Sequence, residues 1–230
     1  MFKTELHCHS AEVSNCAPAG AKEVAEHYIE AGYTTIVLAN HLSKYTYKNK
    51  RFDHSDWSWK DKIDYYMDGF HKLEEACQDK VHVLLGCELR ANKDGNDYLL
   101  YGVTEDFLRS IPDMMDVPIT EVRAALHEIG GLFFQAHPFR NGMKVTRPEY
   151  LDGIEVYNGH IGHDSRNWVA RQWAEHFGLL QSSGSDFHAV EHKISGGLLT
   201  DTPVLSNAQL FELLRSGNAT LLKDPSVGPC

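Results

Sequence analysis

The sequence predicts a mixed α/β chain whose strands run parallel and converge, barrel-like, on one metal-binding rim. Two observations carry this expectation. Segments of helical period alternate with short apolar runs along most of the 230 residues, the pattern of β-then-α units whose helices cover a sheet. Metal-ligand residue types also recur at or just after those runs: His7-Cys8-His9, Asn40-His41, Glu88, His137 and Asp186-Phe187-His188. A barrel brings its strand ends to a single mouth, so it serves such a distribution better than an open sheet.

Phe2 to Ser10 reads as the first strand, and in an extended chain residues i and i+2 share a face, which sets His7 beside His9. Ala21 to Ala31 places Val24, Ala25, Tyr28 and Ile29 at helical spacing, with Gly32 closing the helix. Tyr33 to Ala39 is the next strand. Lys44 to Asp61, polar and aromatic (Tyr45, Tyr47, Phe52, Trp57, Trp59), is expected to be a long loop or lid that packs on the barrel. Trp59 to Cys77 is a helix with Ile63, Tyr66, Met67, Phe70 and Leu73 on one face, followed by a strand from Val81 to Glu88. Val103 to Val117, with Pro112 and Pro118, is expected to be a surface connection. Thr120 to Ile129 is a helix opened by Thr-Glu-Val-Arg and stopped by Gly130-Gly131, leading into a strand from Leu132 to Ala136. Asp152 to Tyr157 and Leu179 to Ser183 read as strands, and Ser165 to His176 and Asn207 to Ser216 as helices.

Composition narrows the function classes. The chain is 42% hydrophobic and 23% charged, ordinary for one folded domain over residues 1–230. No apolar stretch approaches the ~18 residues of a membrane span, and Met1-Phe2-Lys3-Thr4-Glu5 leads directly into a strand, not a signal h-region. The five cysteines have no paired spacing, which reads as reduced thiols in a cytoplasmic protein. A net charge of −10 with neutral histidines disfavours a broad nucleic-acid footprint. The 14 histidines are an excess, of which His27, His71, His127 and His176 read as surface residues.

Five ordered motifs carry a family resemblance. Leu6-His7-Cys8-His9-Ser10, Gly32 to His41, Glu88, Ala136-His137-Pro138-Phe139 and Gly184-Ser185-Asp186-Phe187-His188 resemble the motifs of the PHP (polymerase and histidinol phosphatase) family over about residues 1 to 200. The resemblance implies a distorted (β/α)7 barrel holding two or three divalent metals, Zn, Mn or Fe, at the C-terminal ends of its strands. It also implies phosphoesterase chemistry. Carried over, His7 and His9 bind one metal with Glu88 and Asp186, Glu88 bridges to a second with His137, and His41 with His188 hold a third. Glu88, Asp186 and His188 are then the catalytic residues. Imidazole suits these metals, and a carboxylate shared by two cations lowers their repulsion.

The chain departs from the family pattern at three places. Where an Asp or His often follows the second histidine, the chain has Ser14-Asn15-Cys16, leaving Glu12 or Cys16 as substitutes. Asn40 stands where many members have Asp. After Glu88 the next strand offers no histidine, and Asp97 is either a ligand or a solvated turn residue. Arg140 and Arg90 are the substrate-binding candidates, since arginine makes bidentate phosphate contacts; Lys193 and His192 are weaker ones. Glu155, Tyr157 and Asn158 are expected at the mouth, and His160 and His163 on a solvent-exposed loop beyond it.

The expected function is hydrolysis of a small phosphomonoester by a metal-activated hydroxide. The competing readings are a nuclease on short oligonucleotides, an amidohydrolase-like reaction, and a non-catalytic metal-binding scaffold for a partner protein. A small phosphorylated substrate is the expected partner, with no membrane; nucleic acid is disfavoured but stays open as the partner in the nuclease reading.

Overall fold

The computed structural model describes residues 1–48 and 52–224. Its strands are β1 (Phe2–Cys8), β2 (Thr35–Leu38), β3 (His41–Leu42), β4 (His82–Arg90), β5 (Asp97–Tyr101), β6 (Leu132–Gln135), β7 (Gly153–Asn158), β8 (Leu180–Gly184), β9 (Leu198–Thr200) and β10 (Thr220–Leu221). Its helices are α1 (Ala21–Glu30), α2 (Lys44–Tyr47), α3 (Trp59–Cys77), α4 (Glu105–Ser110), α5 (Ile119–Glu128), α6 (Asn167–Phe177) and α7 (Asn207–Ser216). The strands are joined in the order β10-β9-β1-β2-β4-β5-β6-β7-β8, with β3 on β4. Just past β8 the chain returns to β1: the Phe187 N–H donates to His7 O at 3.3 Å and the His9 N–H to Phe187 O at 3.0 Å. The sheet is therefore curled into a nearly closed barrel.

Its strands are not all parallel. β1 with β2, β2 with β4, β6 with β7 and β7 with β8 are parallel, but β5 is antiparallel to both β4 and β6. The cause is local. Asp94-Gly95 between two apolar runs makes a tight reversal, with Gly95 at φ +75° and its N–H donating to Ala91 O at 2.9 Å, so no helix separates β4 from β5. Because β5 runs the other way, its first residue, Asp97, reaches the rim that the other strands reach with their last residues.

Three groups of buried side chains fill the molecule. Leu6, Val37, Leu84, Leu99, Tyr101 and Phe134 pack with Leu210, Phe211 and Leu214 of α7. Phe211 lies against Gly102, at the opposite end of β5 from Asp97, so α7 covers the end of the barrel away from the rim. α1 lays Val24, Ala25 and Tyr28 against Ile36 and Leu38 of β2. The third group joins Ile63, Tyr66 and Met67 of α3 to Leu89, Leu100, Phe107, Met114, Val122 and Phe133. Each fully buried side chain of this size stabilises the fold by roughly 1.5–3 kcal/mol.

The expected surface connection and the expected loop or lid both contain helical structure. Val103 to Val117 forms α4 and a 3-10 turn, and buries Phe107, Leu108, Met114 and Met115. The helical period is too short there to stand out from the flanking prolines. Lys44 to Asp61 contains α2 and the start of α3; its residues 49–51 lie outside the described residues. Tyr47 is buried and donates to Lys62 O at 3.2 Å. Trp59 donates to Leu108 O at 2.8 Å, and Trp57 stacks on His54. These aromatics pack on the helices, and Tyr45 is the exposed one among them. Helix α5 begins one residue early, after Pro118, so Thr120 does not cap it. Among the described residues no helix is long and apolar enough to cross a membrane, and Cys8, Cys16, Cys77 and Cys87 are free.

Candidate metal centre

The rim gathers the sequence's ligand candidates from separate strands. His7 sits near the end of β1 and His9 just after it; Glu88 lies within β4, opposite His41 of β3. Asp97 opens β5, His137 follows β6, and Asp186 and His188 follow β8. All but His41 are buried. His137 and Asp186 hold left-handed backbone, with φ +29° and +50°, a region few non-glycine residues adopt, though Asp and His do so more than most.

Glu88 is the hub. His41 Nδ1 stands 2.8 Å from its Oε2 and His137 Nε2 3.1 Å from its Oε1. His7 Nε2 and His9 Nε2 lie 3.4 and 3.3 Å from the same Oε2, and 3.4 and 3.3 Å from Asp186 Oδ1. Yet His7 Nε2, His9 Nε2 and Glu88 Oε2 are buried without a well-directed hydrogen bond. Such orphans are costly. The spacing supplies a reason, because two donors each about 2.0–2.1 Å from one tetrahedral ion stand about 3.3 Å apart. The nitrogens and carboxylate oxygens aim at shared points instead of at each other, and the donor set fits divalent cations. Three ligand-type groups meet here, each with donor atoms within 4.8 Å of one another: His7, His9 and Glu88; Glu88, Asp97 and His137; and His9, His41 and His188.

The protonation pattern follows from this crowding. Burial alone would raise Glu88 and Asp186, but the neighbouring imidazoles, His41 and His7 for Glu88 and His7 and His188 for Asp186, hold both well below the usual carboxylate range. His7 is raised despite its burial by Asp186, Glu155 and Glu88, and His41 likewise by Glu88. His9 is lowered by burial and by the charges of His188 and His41. Asp97 is raised by burial and by Glu88.

A surrounding layer fixes the donors. Glu155 takes His7 Nδ1 at 2.9 Å and accepts the His137 N–H at 2.9 Å. Ser14 Oγ lies 3.1 Å from His9 Nδ1 and accepts the His41 N–H at 3.0 Å. Asn158 donates to Asp186 Oδ2 at 3.0 Å. With Nδ1 of His7 and His9 engaged, Nε2 of each ring is left facing the cluster. Glu5, absent from the sequence reading, is also buried; it accepts the Leu6, His7 and Ser185 N–H groups at 3.0, 2.9 and 2.8 Å. It thereby ties the bulge in β1 to the chain just before Asp186. A carboxylate two residues before the paired histidines was its only signal in the sequence.

The doubtful positions divide clearly. Asp97 is buried within the cluster, so the solvated-turn reading is excluded. Asn40 accepts from Ser10 N–H at 2.8 Å and Ser14 Oγ at 2.9 Å, a clamp on the loop that carries Ser14. Glu12 accepts the Ala21 N–H at 2.8 Å at the start of α1, and Asn15 reaches the Tyr45 and Thr46 carbonyls; neither faces the cluster. Cys16 is exposed, and His188 and His41 beside it bring its thiol down to about 6. Arg90 makes two 2.9 Å contacts with Asp97, and Arg140 lies 3.4 Å from Asp97 and 3.9 Å from Asp186. Both expected substrate-binding arginines are thus at the rim, held by its carboxylates. Tyr157 points to Ser195 at 3.1 Å. His163 is exposed as expected, but His160 is half-buried. Lys193 pairs with Asp224 at 3.1 Å, away from the cluster.

No family model matches the chain, and no curated protein matches it in sequence. Solved structures do. A two-domain protein of Bacteroides vulgatus containing a predicted PHP-like metal-dependent phosphoesterase superposes with a TM-score of 0.64 at 16% identity, covering 96% of this chain and 64% of that one. PsfC of Pseudomonas syringae gives 0.62 at 14% identity, over 91% and 87% of the two chains. The lesion-specific endonuclease PfuEndoQ of Pyrococcus furiosus gives 0.60 at 12% identity, over 96% and 57%. The chain therefore spans less than two thirds of the first and third of these. At such identities the likeness is one of fold, and it coincides with the ordered histidine and carboxylate motifs: this chain has the fold of the PHP-like metal-dependent phosphoesterases.

Proposed function

We propose that the protein is a metal-dependent phosphoesterase that hydrolyses a small phosphomonoester. The observation that carries the reading is the convergence of His7, His9, His137, Glu88, Asp97 and Asp186 on shared points, with the buried His7 Nε2, His9 Nε2 and Glu88 Oε2 among the atoms left without a hydrogen bond. In this reading β1, β2, β4, β5, β6, β7 and β8 form the distorted seven-stranded barrel. His7, His9, Glu88 and Asp186 hold one ion. Glu88 bridges to a second with His137 and Asp97, and His41 and His188 hold a third. Zn, Mn or Fe bound there would supply Lewis-acid charge and a water of lowered pKa.

The chain's own residues supply the rest. Glu88, Asp186 and His188 are the catalytic residues, in contact with the ions. Glu155, Ser14 and Asn158 are positioning residues that keep the donors oriented. Arg90, beside Asp97, and Arg140, between Asp97 and Asp186, are the cationic groups at the rim that would bind a phosphate, whose geometry guanidinium matches in bidentate fashion. The four cysteines among the described residues are free, which supports a reducing, cytoplasmic setting.

A diesterase acting on nucleic acid is the second reading, favoured by the fold likeness to the Pyrococcus furiosus endonuclease. The net charge of −10 weighs against it, because a polyanion is drawn to basic surfaces. The discriminating experiment measures metal content per chain and assays p-nitrophenyl phosphate against bis(p-nitrophenyl) phosphate with Mn, Zn and Fe added back. Two or three ions with monoester turnover is the expected result. Diester preference would transfer the assignment to a nuclease, and one tight ion without turnover would leave a metal-binding scaffold.

A further inference from the structure

We propose that the rim carries an outer transition-metal site, built by His160, His188 and His192, which overlaps the carboxylate-rich centre beneath it only at His188. His160 lies in the loop after β7, and His188 and His192 lie in the segment between β8 and β9. One ring nitrogen of each falls within 4.8 Å of the other two. The ring centroids of His160 and His192 are 4.7 Å apart, and those of His160 and His188 are 5.2 Å apart. His192 is held in place by a turn, its N–H donating to Ala189 O at 2.9 Å. Its Nδ1 is nonetheless buried without a hydrogen-bond partner, which is unfavourable unless a ligand satisfies the ring.

The donor chemistry selects the ion. Three imidazoles with no carboxylate among them favour late first-row divalent ions such as Zn, Ni or Co over Mg or Ca. His160 and His192 are half-buried, so such an ion would keep solvent-facing positions and exchange readily. The Gly162 N–H donates to His160 Nδ1 at 3.0 Å. An imidazole ligating through one nitrogen carries its proton on the other, so loading through Nε2 would give up this exposed turn contact, and loading through Nδ1 would displace it.

His188 links this site to the inner one. Its Nδ1 lies 2.9 Å from the Asp186 carbonyl oxygen, leaving Nε2 as its metal-facing nitrogen. The inner group with His9 and His41 draws on the same residue. One lone pair serves one ion, so an outer ion competes for His188. That competition rests on the proposed inner site, whereas the outer site itself does not.

The test is equilibrium dialysis of the full chain against Ni2+, with metal content measured for wild type, a His160→Ala/His192→Ala double variant, Glu88→Ala, and His176→Ala as an exposed-histidine control. Wild type, Glu88→Ala and His176→Ala should all retain a weaker, exchangeable ion that the double variant loses, and the Gly162 amide resonance should move on Ni2+ addition only where that ion binds. His192→Gln, which preserves bulk, replaces the double variant if the latter does not fold. Equal Ni2+ binding by wild type and the double variant, or an unmoved Gly162 resonance in wild type, overturns the proposal. Retention of the outer ion by Glu88→Ala upholds it even if phosphoester hydrolysis proves absent.

Discussion

Glu88 meets imidazoles from β3, from the end of β1 and from the turn after β6, so its carboxylate is the group whose loss unbalances the most neighbours. Glu88→Ala should cost at least about a hundredfold in inner-metal affinity and abolish phosphoester turnover; metal content and initial rates on the same preparation check this, and full turnover would sink the assigned roles. Glu155 acts one step removed, through His7 Nδ1 and the His137 N–H. Glu155→Gln should weaken metal binding by about 10- to 100-fold while leaving the fold intact, read by metal titration with circular dichroism alongside. His7 and His41 hold protons above the ordinary histidine range because carboxylates surround them. Metal binding must displace those protons. Calorimetric titrations in two buffers of different ionisation enthalpy should therefore show net proton release near pH 7, and affinity should fall as pH is lowered.

The element scale shows how strands and helices are locked so that the donors stay in register. Asp152, just before β7, accepts from Arg123 at 2.6 Å and from the Phe133 N–H at 2.8 Å, and lies 2.8 Å from His127 Nε2, which joins α5 to β6 and β7. His127, which reads as a surface bystander in sequence, belongs to this joint. Burial works to raise the Asp152 carboxyl, but the hydrogen bonds from His127, Phe133 and Arg123 leave it below its ordinary value. A depressed folded pKa contributes stability that is present above the unfolded value, about 3.9, and is lost as pH falls through the folded one. Asp152→Asn should thus lower stability by about 1.5–3 kcal/mol at pH 7. In urea titrations the gap from wild type should shrink as pH drops below about 4; a gap that widens there would refute the assignment. β8 meets β1 as closely: a methyl on Gly184 would collide with His7 Cβ and with Glu155 Oε1. Gly184→Ala should destabilise by about 1–3 kcal/mol and lower metal content as well, because His7 must move.

At the scale of the molecule, the cluster is assembled from both halves of the barrel, with β1, β3 and β4 on one side and β5, β6 and β8 on the other. An ion bound there crosslinks them, whereas the unfolded chain has no such preformed site. Chelation should therefore lower the melting temperature, and re-addition of metal at 100 times its dissociation constant should restore about 2.7 kcal/mol. Differential scanning calorimetry with and without chelator measures this. An unchanged midpoint would mean that the donors bind no ion with useful affinity.

The alternation of helices and strands and the boundaries of α3 and α7 were legible in the linear sequence, as was the placing of His7, His9, His41, Glu88, His137, Asp186 and His188 at or beside short apolar runs. These rest on local periodicity and spacing, which a linear reading resolves. Tertiary structure decided what depends on chain direction and on distant partners. Asp97 became a rim residue because a hairpin reverses β5, although a rule of ligands at strand ends overlooks a strand that begins at the rim. Glu5 and Glu155 acquired their roles from backbone and ring nitrogens as many as 180 residues away in sequence. Asn40, Glu12 and Asn15 proved to be clamps and caps, and of the two substitutes it was Cys16, not Glu12, that lay beside imidazoles of the cluster. Side-chain chemistry is written in the sequence, but the atom that satisfies it is chosen only when the barrel closes.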